Sequence, residues 1–287
     1  MVPEPTDRQI NSWLSWSIRQ LYPSINNPKQ ESEWLLSALL QCHRSDLLLN
    51  KVELSPGQIK TYKQWIYRRK TGEPAQYITG WTEFYGRRFN LSKEVLIPRQ
   101  ETERLIDVAI YTFQELVNPI LVDIGTGSGC IAISIGAEIP HGEMEGRDIS
   151  PDALAIAEEN ASLNQVSNVS FIQSDFLNDP SPNQIYDGLV MNPPYIPQNA
   201  MESLMDEVRL YEPNLALTDH EDGLVFYRHL ARYADQWVQP GGYLIMEVGV
   251  GDHPQNVANC FRKGPFDQLE FVTDFNGDNR VLKVKVI

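Results

Sequence analysis

The chain contains the segment Leu121-Val122-Asp123-Ile124-Gly125-Thr126-Gly127-Ser128-Gly129, in which an apolar strand runs into a glycine loop and then a helix. Glycine has no Cβ, so a backbone rich in glycine can approach a ligand closely. The spacing departs from the dinucleotide fingerprint G-x-G-x-x-G, because the third glycine comes one place early and Cys130 follows it. On its own, the loop is equally compatible with a tight structural turn.

Three acidic residues extend this pattern to the following strands. Asp123 ends the strand before the loop, Asp148 ends the next predicted strand, and Asp175 follows the third, beside Phe176. A carboxylate at the position of Asp148 accepts hydrogen bonds from ribose hydroxyls. Asp175 is placed to accept from an adenine amine, and Phe176 offers a ring for stacking. Clustered acids repel phosphate and attract cations, so they favour S-adenosylmethionine, which carries a sulfonium, over cofactors with a pyrophosphate.

Strands and helices alternate through the second part of the chain, which predicts a mostly parallel α/β sheet. The predicted strands are Ile120–Ile124, Glu143–Asp148, Val169–Gln173, Tyr186–Met191 and Tyr243–Val248, and the predicted helices are 105–116, Cys130–Ala137, Pro151–Leu163 and Leu224–Trp237. At the end, Leu269–Phe275 and Arg280–Val286 flank Asn276-Gly277-Asp278-Asn279, which is a hairpin signal. We therefore expect an antiparallel pair at one edge of the sheet.

The tetrapeptide Asn192-Pro193-Pro194-Tyr195 follows one of these strands directly, at the end where open α/β sheets bind ligands. Two prolines remove two backbone donors and stiffen the turn, so the preceding carbonyls are left to accept. Asn192 adds a side-chain carbonyl and Tyr195 adds an aromatic face. This corner suits a planar NH₂ group, either an amide or the exocyclic amine of a base, although a proline-rich structural turn is the alternative.

Residues 1–78 are predicted to form a small helical domain. One helix follows Asp7 and ends before Pro23, a second covers about 29–42, and Ser55-Pro56-Gly57-Gln58 is the capping-box start of a third, which ends near Gly72. No catalytic constellation lies in this domain, so we interpret it as a recognition or packing module. A β-hairpin linker over residues 79–92 turns at Gly86-Arg87-Arg88, and residues 93–287 form the cofactor-binding domain.

Charge and cysteine usage exclude several classes of function. The net charge of −14 argues against tight non-specific binding to nucleic acid, because phosphate neutralisation dominates that affinity. Residues 51–100 are an exception, with 10 Lys and Arg against 4 Glu, and many of these basic residues lie on the third helix and its end, at Lys60, Lys63, Arg68, Arg69 and Lys70. Such a run is either a solvated helix face or a partner-docking face.

The three cysteines lie far apart and in no ligand spacing, which predicts reduced thiols of a cytoplasmic protein and no metal site. No apolar window is long enough for a membrane span, and the N-terminal residues do not have the pattern of a signal peptide.

The segment Leu96-Ile97-Pro98-Arg99-Gln100-Glu101-Thr102-Glu103 packs charged groups around a proline just before a predicted helix. This arrangement fits either one rim of a binding site or a surface linker that places negative charge at a helix start.

These motifs together resemble the HemK/PrmC family of class I S-adenosylmethionine-dependent methyltransferases, which methylate a glutamine of peptide chain release factors. The similarity covers almost the whole chain. The shared motifs are Gly72-Glu73-Pro74, Leu96-Ile97-Pro98-Arg99, Thr102-Glu103, the glycine loop, Asp148, Ser174-Asp175, Asn192 to Tyr195, Glu207-Val208-Arg209 with Glu212-Pro213, and Gly277-Asp278-Asn279-Arg280. Two positions depart from the family, since Gln100 replaces a frequent proline and Phe176 replaces a tryptophan of some members.

The resemblance implies a class I methyltransferase fold, Rossmann-like with a seven-stranded mixed sheet, and a substrate, the glutamine in the Gly-Gly-Gln loop of class-1 release factors. It implies that S-adenosyl-L-methionine is converted to S-adenosyl-L-homocysteine and that the cofactor is held or faced by Gly125, Thr126, Gly127, Ser128, Gly129, Asp148, Asp175, Phe176 and Asn192. Asn192 and the Pro193 carbonyl would accept both hydrogens of the substrate amide, with Tyr195 packed on the amide plane and Pro194 completing the substrate corner.

Two other substrates use the same corner and stay open at the level of the sequence. One is a glutamine of a ribosomal protein. The other is the amine of a flipped nucleic-acid base, although the acidic charge of the catalytic half disfavours it. A scaffold without catalytic activity is disfavoured because the cofactor loop, the acids and the Asn-Pro-Pro-Tyr corner are all intact.

Overall fold

The computed structural model describes residues 2–49, 53–179, 182, 184–274 and 276–287, and their contacts divide the chain into two compact units. The helical unit contains the residues up to Trp81 together with Met205–Tyr211, and the sheet unit contains Thr82–Leu204 and Glu212–Ile287. The domain bounds predicted from the sequence, 1–78, 79–92 and 93–287, stay a prediction.

Amphipathic helices form the helical unit around an aromatic and aliphatic core. In chain order they are α1 (Ile10–Leu21), α2 (Pro28–Leu40), α3 (Asp46–Leu49), α4 (Pro56–Lys70) and α5 (Ala75–Thr79). The hydroxyl of the buried Tyr62 donates 2.8 Å to Ser17 Oγ and 3.0 Å to the Ser32 carbonyl, so one side chain of α4 ties α1 and α2 together. The predicted capping box is confirmed, with reciprocal bonds between Ser55 and Gln58.

The later segment Met205–Tyr211 packs on the helical unit through a buried arginine. Arg69 is 4 % exposed, and its guanidinium donates to Glu31 at 2.9 Å and to Glu207 at 2.8 Å. Tyr211 adds a hydrogen bond of 3.1 Å from its hydroxyl to the Thr71 carbonyl. Burying an arginine is tolerated here because carboxylates accept from two of its nitrogens and more than balance its single positive charge.

Most of the basic residues on α4 have hydrogen-bond or ion-pair partners within the same unit. Lys63 pairs with Glu4 at 2.6 Å, Arg68 pairs with Glu73, and Lys70 donates to Gln20. Together with Arg69, four of the five basic residues hold partners, which favours a solvated helix face over a docking face.

A twisted three-layer sandwich forms the sheet unit. After the hairpin β1 (Trp81–Phe84) and β2 (Arg87–Asn90), the elements are α6 (Glu103–Phe113), β3 (Ile120–Ile124), α7 (Cys130–Glu138), β4 (Glu143–Asp148), α8 (Pro151–Leu163), β5 (Val169–Gln173), β6 (Tyr186–Met191), α9 (Asp206–Tyr211, within the helical unit), α10 (Asn214–Leu217), α11 (Val225–Trp237), β7 (Val238–Glu247), α12 (His253–Phe261), β8 (Phe266–Thr273) and β9 (Asn279–Val286).

The seven strands lie in the order β5-β4-β3-β6-β7-β9-β8, parallel through β7, with β9 antiparallel to both of its neighbours. This confirms the predicted mixed sheet of the class I methyltransferase fold. One apolar layer, with α11 and α12, covers one face, and a second, with α6 and α7, covers the other. The carboxyl ends of the parallel strands therefore share one edge, where the sequence motifs meet.

Four strands, β3 to β6, have the predicted bounds, whereas elements near the chain end differ from the prediction. β7 begins at Val238, five residues early, because a bulge lets Val238 pair with Tyr186 before the regular register resumes at Gly188 and Tyr243. β8 covers Phe266–Thr273 in place of the predicted 269–275, and Phe275 lies outside the described residues.

Gly188, in the middle of β6, allows the sheet to approach α6. A Cβ at this position would lie 2.1 Å from Cζ of the fully buried Phe113, and two further ring atoms of Phe113 lie within 2.8 Å of it. The phenyl ring thus occupies the space that any side chain at 188 would need.

Candidate active site

Backbone hydrogen bonds fix the glycine loop to the end of the neighbouring strand. The N–H groups of Gly125 and Thr126 donate to the Arg147 carbonyl at 2.8 and 2.9 Å. Gly125 and Gly127 have φ of 72° and 55°, in the left-handed region where a Cβ is strained. The loop is therefore held in a conformation that depends on its glycines, with its backbone at the edge of the sheet.

The third glycine of the loop serves helix packing. A Cβ on Gly129 would lie 2.9 Å from Ile133 Cδ1 and 3.0 Å from Ala157 Cβ, so its absence lets α7 approach α8. The Ser128 hydroxyl beside it is buried and has no hydrogen-bond partner among the described residues.

Asp123 stabilises the glycine loop through a hydrogen bond from Thr126. Its Oδ2 accepts a 2.7 Å hydrogen bond from the Thr126 hydroxyl, and burial, with a smaller contribution from the nearby charge of Asp148, raises the pKa of Asp123 to about 7. Because the side chain is fully buried, it shapes the loop and is not available to a ligand at the surface of the site.

Asp148 uses both carboxylate oxygens to order backbone around the site. Oδ2 accepts from the Gly127 N–H at 2.8 Å and Oδ1 accepts from the Ser150 N–H at 2.9 Å. Burial raises the pKa of Asp148, while these two bonds oppose the shift. Each carboxylate oxygen has a further lone pair, so the group can still accept from ribose hydroxyls.

Beside Asp148 lies an apolar side chain that the sequence analysis missed. Ile149 is 44 % exposed, although it directly follows the last residue of β4. An isoleucine left this exposed at the carboxyl edge of the sheet offers an apolar surface that a planar group could cover. The signal in the sequence was its place immediately after the acid.

Asp175 and Phe176 are adjacent in sequence but have different surroundings. Asp175 accepts hydrogen bonds from the backbone and side chain of Asn178, at 3.2 and 2.8 Å. Phe176 is 6 % exposed and packs against His229 and Trp237 at centroid distances of 4.8 and 5.2 Å. Little of the Phe176 ring is therefore open for stacking, and its predicted role against adenine stays a prediction.

The Asn-Pro-Pro-Tyr corner directly follows β6, and sheet register brings it beside the glycine loop. Ile124 pairs with Met191, so Gly125 and Asn192 follow paired residues of adjacent parallel strands. The Asn192 amide donates from Nδ2 to Thr102 Oγ1 at 3.2 Å. The segment 96–103 therefore reaches this corner, which favours a site rim over a surface linker.

Tyr195 is held from two sides. Its hydroxyl donates to Glu247 Oε1 at 3.2 Å, and its ring lies 5.5 Å from the ring of His253. Behind it, a Cβ on Gly223 would lie 2.3 Å from the Tyr195 carbonyl, at a φ of 82°. His253 links the surrounding loops, since its Nδ1 accepts from the Gly249 N–H at 3.0 Å and its Nε2 lies 3.2 Å from the Gly223 carbonyl.

A buried acid beneath the corner was also missed by the sequence analysis. Glu247 is 1 % exposed and accepts from the Thr102 hydroxyl at 2.6 Å as well as from Tyr195. Burial raises its pKa to about 7, against the lowering effect of Thr102 and Arg280. A register argument would have found it, because Met191 pairs with Met246 and the next residues on the two strands are Asn192 and Glu247.

The part of the chain that the structure describes contains no group of three or more His, Cys, Asp or Glu able to hold a metal ion. None of its helices is long and apolar enough to cross a membrane.

Comparison with known proteins places both units in one family. Residues 12–80 match the PrmC N-terminal domain and residues 107–211 match the methyltransferase small domain. A protein of Geobacter sulfurreducens named release factor glutamine methyltransferase is 37 % identical over 284 residues, 98 % of this chain and 98 % of its own. The chain belongs to the release factor glutamine methyltransferase family.

Other relatives with the same name support this membership. The Fusobacterium nucleatum protein is 36 % identical over 91 % of this chain and 74 % of its own length. The Koribacter versatilis protein is 39 % identical over 78 % of this chain and 80 % of its own length. The resemblance inferred from the motifs, and with it the methyltransferase class of the enzyme, is confirmed.

Solved structures agree on the fold alone. The hMettl16 catalytic domain matches with a TM-score of 0.57 at 13 % identity, over 80 % of this chain and 82 % of its own. A methyltransferase from Pyrococcus furiosus matches with a TM-score of 0.52 at 14 % identity, over 78 % of this chain and 96 % of its own.

Proposed function

We propose that this family member transfers a methyl group from S-adenosyl-L-methionine to the side-chain amide nitrogen of the glutamine in the Gly-Gly-Gln loop of class-1 peptide chain release factors. The main support is the pairing of Ile124 with Met191, which sets an acceptor-rich Asn-Pro-Pro-Tyr corner beside a glycine loop. Full-length similarity to release factor glutamine methyltransferases selects glutamine among planar NH₂ groups. We infer that the activity supports translation termination in the cytoplasm, and the similarity to release factor glutamine methyltransferases supports this proposal.

The cofactor fits the residues present at the edge of the sheet. Gly125 and Gly127 leave the backbone open to close approach at these two positions, Asp148 retains lone pairs for hydroxyls, and the exposed side chain of Ile149 can cover an apolar ring. Asp148 and Asp175 end or follow adjacent strands at this edge, so their negative charge favours a cationic ligand. When bound, S-adenosylmethionine supplies an electrophilic methyl group and leaves as S-adenosylhomocysteine.

An amide nitrogen is a poor nucleophile because its lone pair is delocalised into the carbonyl. The Asn-Pro-Pro-Tyr corner is suited to activate such a nitrogen. Acceptors at the Asn192 side chain and the Pro193 carbonyl would each hold one amide hydrogen and favour a pyramidal nitrogen. Tyr195, anchored through Glu247, would pack on the amide plane. The gain is orientation and electrostatic stabilisation, because no group has to move when the reaction begins.

A strong base is unnecessary, since the methylated nitrogen becomes acidic and loses its proton to water. This agrees with the buried carboxyls of Asp123 and Glu247, which are committed to hydroxyl donors of the protein.

Asp148 offers a direct test of the cofactor assignment. Replacing Asp148 with alanine removes the acceptor for the Gly127 N–H and for the ribose hydroxyls, so we expect the Kd for S-adenosylmethionine to rise by about 10- to 100-fold. Isothermal titration calorimetry measures this directly. Asp152→Ala, at an exposed position in the first turn of α8, is the matched control and should bind as the wild type does. Equal affinity of the Asp148 and Asp152 variants would contradict the assignment.

The substrate is tested by transfer of labelled methyl from S-adenosylmethionine to purified acceptors. These are the class-1 release factor of the same organism, its Gly-Gly-Gln Gln→Ala variant, ribosomal protein and DNA. We expect label on the release factor and none on the variant. Label on ribosomal protein or DNA alone would overturn the proposed substrate while keeping the chemistry of the site.

A further inference from the structure

A chain of three hydrogen bonds runs beneath the Asn-Pro-Pro-Tyr corner, from Asn192 through Thr102 to Glu247. The distances are 3.2 Å from Asn192 Nδ2 to Thr102 Oγ1 and 2.6 Å from Thr102 Oγ1 to Glu247 Oε2, and Tyr195 completes it with a 3.2 Å bond to Glu247 Oε1. Thr102 is 2 % exposed and Glu247 is 1 % exposed, so water does not compete for these bonds.

The direction of each bond follows from counting hydrogens. An ionised carboxylate only accepts, so the single hydroxyl hydrogen of Thr102 must point to Glu247. The Thr102 oxygen can then only accept from Asn192, which requires the NH₂ end of the asparagine amide. Oδ1, at the other end of the amide, accepts no hydrogen bond among the described residues.

We propose that Glu247 is a positioning residue of the active site, which acts through Thr102 to fix which end of the Asn192 amide is offered to the substrate. The inference rests on the proposed function, because it assigns Asn192 Oδ1 to a hydrogen of the substrate NH₂ group. An asparagine turned the other way would present two donors to a group that itself offers only donors on nitrogen. The buried acid therefore decides whether the corner attracts or repels its substrate.

The two oxygens of Glu247 serve both halves of the corner. Oε2 orients Asn192 through Thr102, while Oε1 accepts from Tyr195 and keeps that ring in place. Both bonds favour the ionised form. The charged and titratable groups that face Glu247 are Arg280 on β9, Glu101 before α6, Tyr195, Tyr227 on α11 and Cys130 on α7.

Protonation of Glu247 would reverse the direction of the hydrogen bonds that link it to Thr102 and Asn192. A neutral carboxyl can donate to Thr102, whose own hydrogen then turns to Asn192 and selects its oxygen end. Since burial raises the pKa of Glu247 to about 7, this reversal falls in the neutral range. Turnover should therefore decline as the pH falls through about 7.

The experiment compares Thr102→Val, Thr102→Ser and Glu247→Gln with the wild type in steady-state methyl transfer to the release factor. Valine at position 102 matches threonine in shape but has no hydroxyl, so it breaks the series of hydrogen bonds, whereas serine preserves it. Glutamine at position 247 can donate a hydrogen bond as well as accept one. We expect kcat to fall about 10- to 100-fold in the valine and glutamine variants, with little change in the KM for S-adenosylmethionine, while serine restores most of the activity. Thermal unfolding of each variant checks its folding.

The pH profile separates positioning from a structural role. The kcat of the wild type should decline as the pH falls through about 7. The kcat of Glu247→Gln should be low at every pH and should show no such decline. Wild-type turnover by Glu247→Gln, or serine as impaired as valine, would overturn the proposal.

Neutron diffraction of the deuterated wild type tests the same inference without any substrate. We expect deuterium on Thr102 Oγ1 directed to Glu247 and the ND₂ end of Asn192 facing Thr102, and the reverse arrangement would overturn the proposal. Failure of the proposed function is distinguishable, because it appears as a wild type that leaves the release factor unlabelled while the hydrogen positions stay as expected.

Discussion

Replacing Asn192 with alanine should lower kcat for methyl transfer by about 10²- to 10³-fold, because a preorganised polar group at the reacting atom is lost. The Thr102 hydroxyl retains Glu247 as its acceptor, so the truncation leaves no buried hydrogen without a partner. We therefore expect the variant to fold and to bind S-adenosylmethionine with little change in affinity. Single-turnover transfer measures the chemical step, and calorimetry measures cofactor binding.

Asn199→Ala is the matched control for this variant, since Asn199 is exposed and lies seven residues further along the chain. It should transfer methyl at the wild-type rate. Near-wild-type turnover by Asn192→Ala with the cofactor bound would remove Asn192 from the mechanism.

The largest effect on stability is expected from Gly188→Ala. The added methyl would lie 2.1 to 2.8 Å from three ring atoms of Phe113, which is fully buried between α6 and the sheet. Overpacking of this kind typically costs about 1–3 kcal/mol, and a contact this short in a strand should reach at least about 3 kcal/mol. Guanidinium denaturation should show a lower midpoint with an unchanged slope.

Two further variants give this prediction its controls. Phe113→Leu combined with Gly188→Ala should recover part of the lost free energy of unfolding, because the smaller side chain frees the space of the methyl. Gly57→Ala, in the first turn of α4, has its nearest neighbouring atom at 4.0 Å and should leave stability equal or slightly increased. A Gly188→Ala variant as stable as the wild type would contradict the packing argument.

Local sequence patterns were sufficient for the parallel strands and for the first group of site residues. The strands β3 to β6 are short apolar runs bounded by turn residues, and their bounds match the prediction. The carboxyl ends of such strands must meet, so the sequence alone assigns the glycine loop, Asp148 and Asn192 to one edge of the sheet.

Residues whose role depends on register could not be found in this way. Glu247 is one of many acids in an acidic chain, and only the pairing of Met191 with Met246 brings it beside Asn192. Thr102 and Glu247 are 145 positions apart in sequence. The role of Phe176 was predicted from its neighbour Asp175, but the rings that cover Phe176 come from α11, the fourth element after β5.

The partners of Arg69 bear on how this protein is made and how it can be cut. Glu31 is synthesised before Arg69, but Glu207 follows 138 positions later, so the helical unit acquires its last segment only after most of the sheet strands have emerged from the ribosome. A fragment that ends at Trp81 would keep Glu31 as a partner of the Arg69 guanidinium but would lose Glu207, the acceptor for its Nη2 group. The helical unit is thus discontinuous in the gene, and truncation at either of its borders should yield fragments that fold poorly.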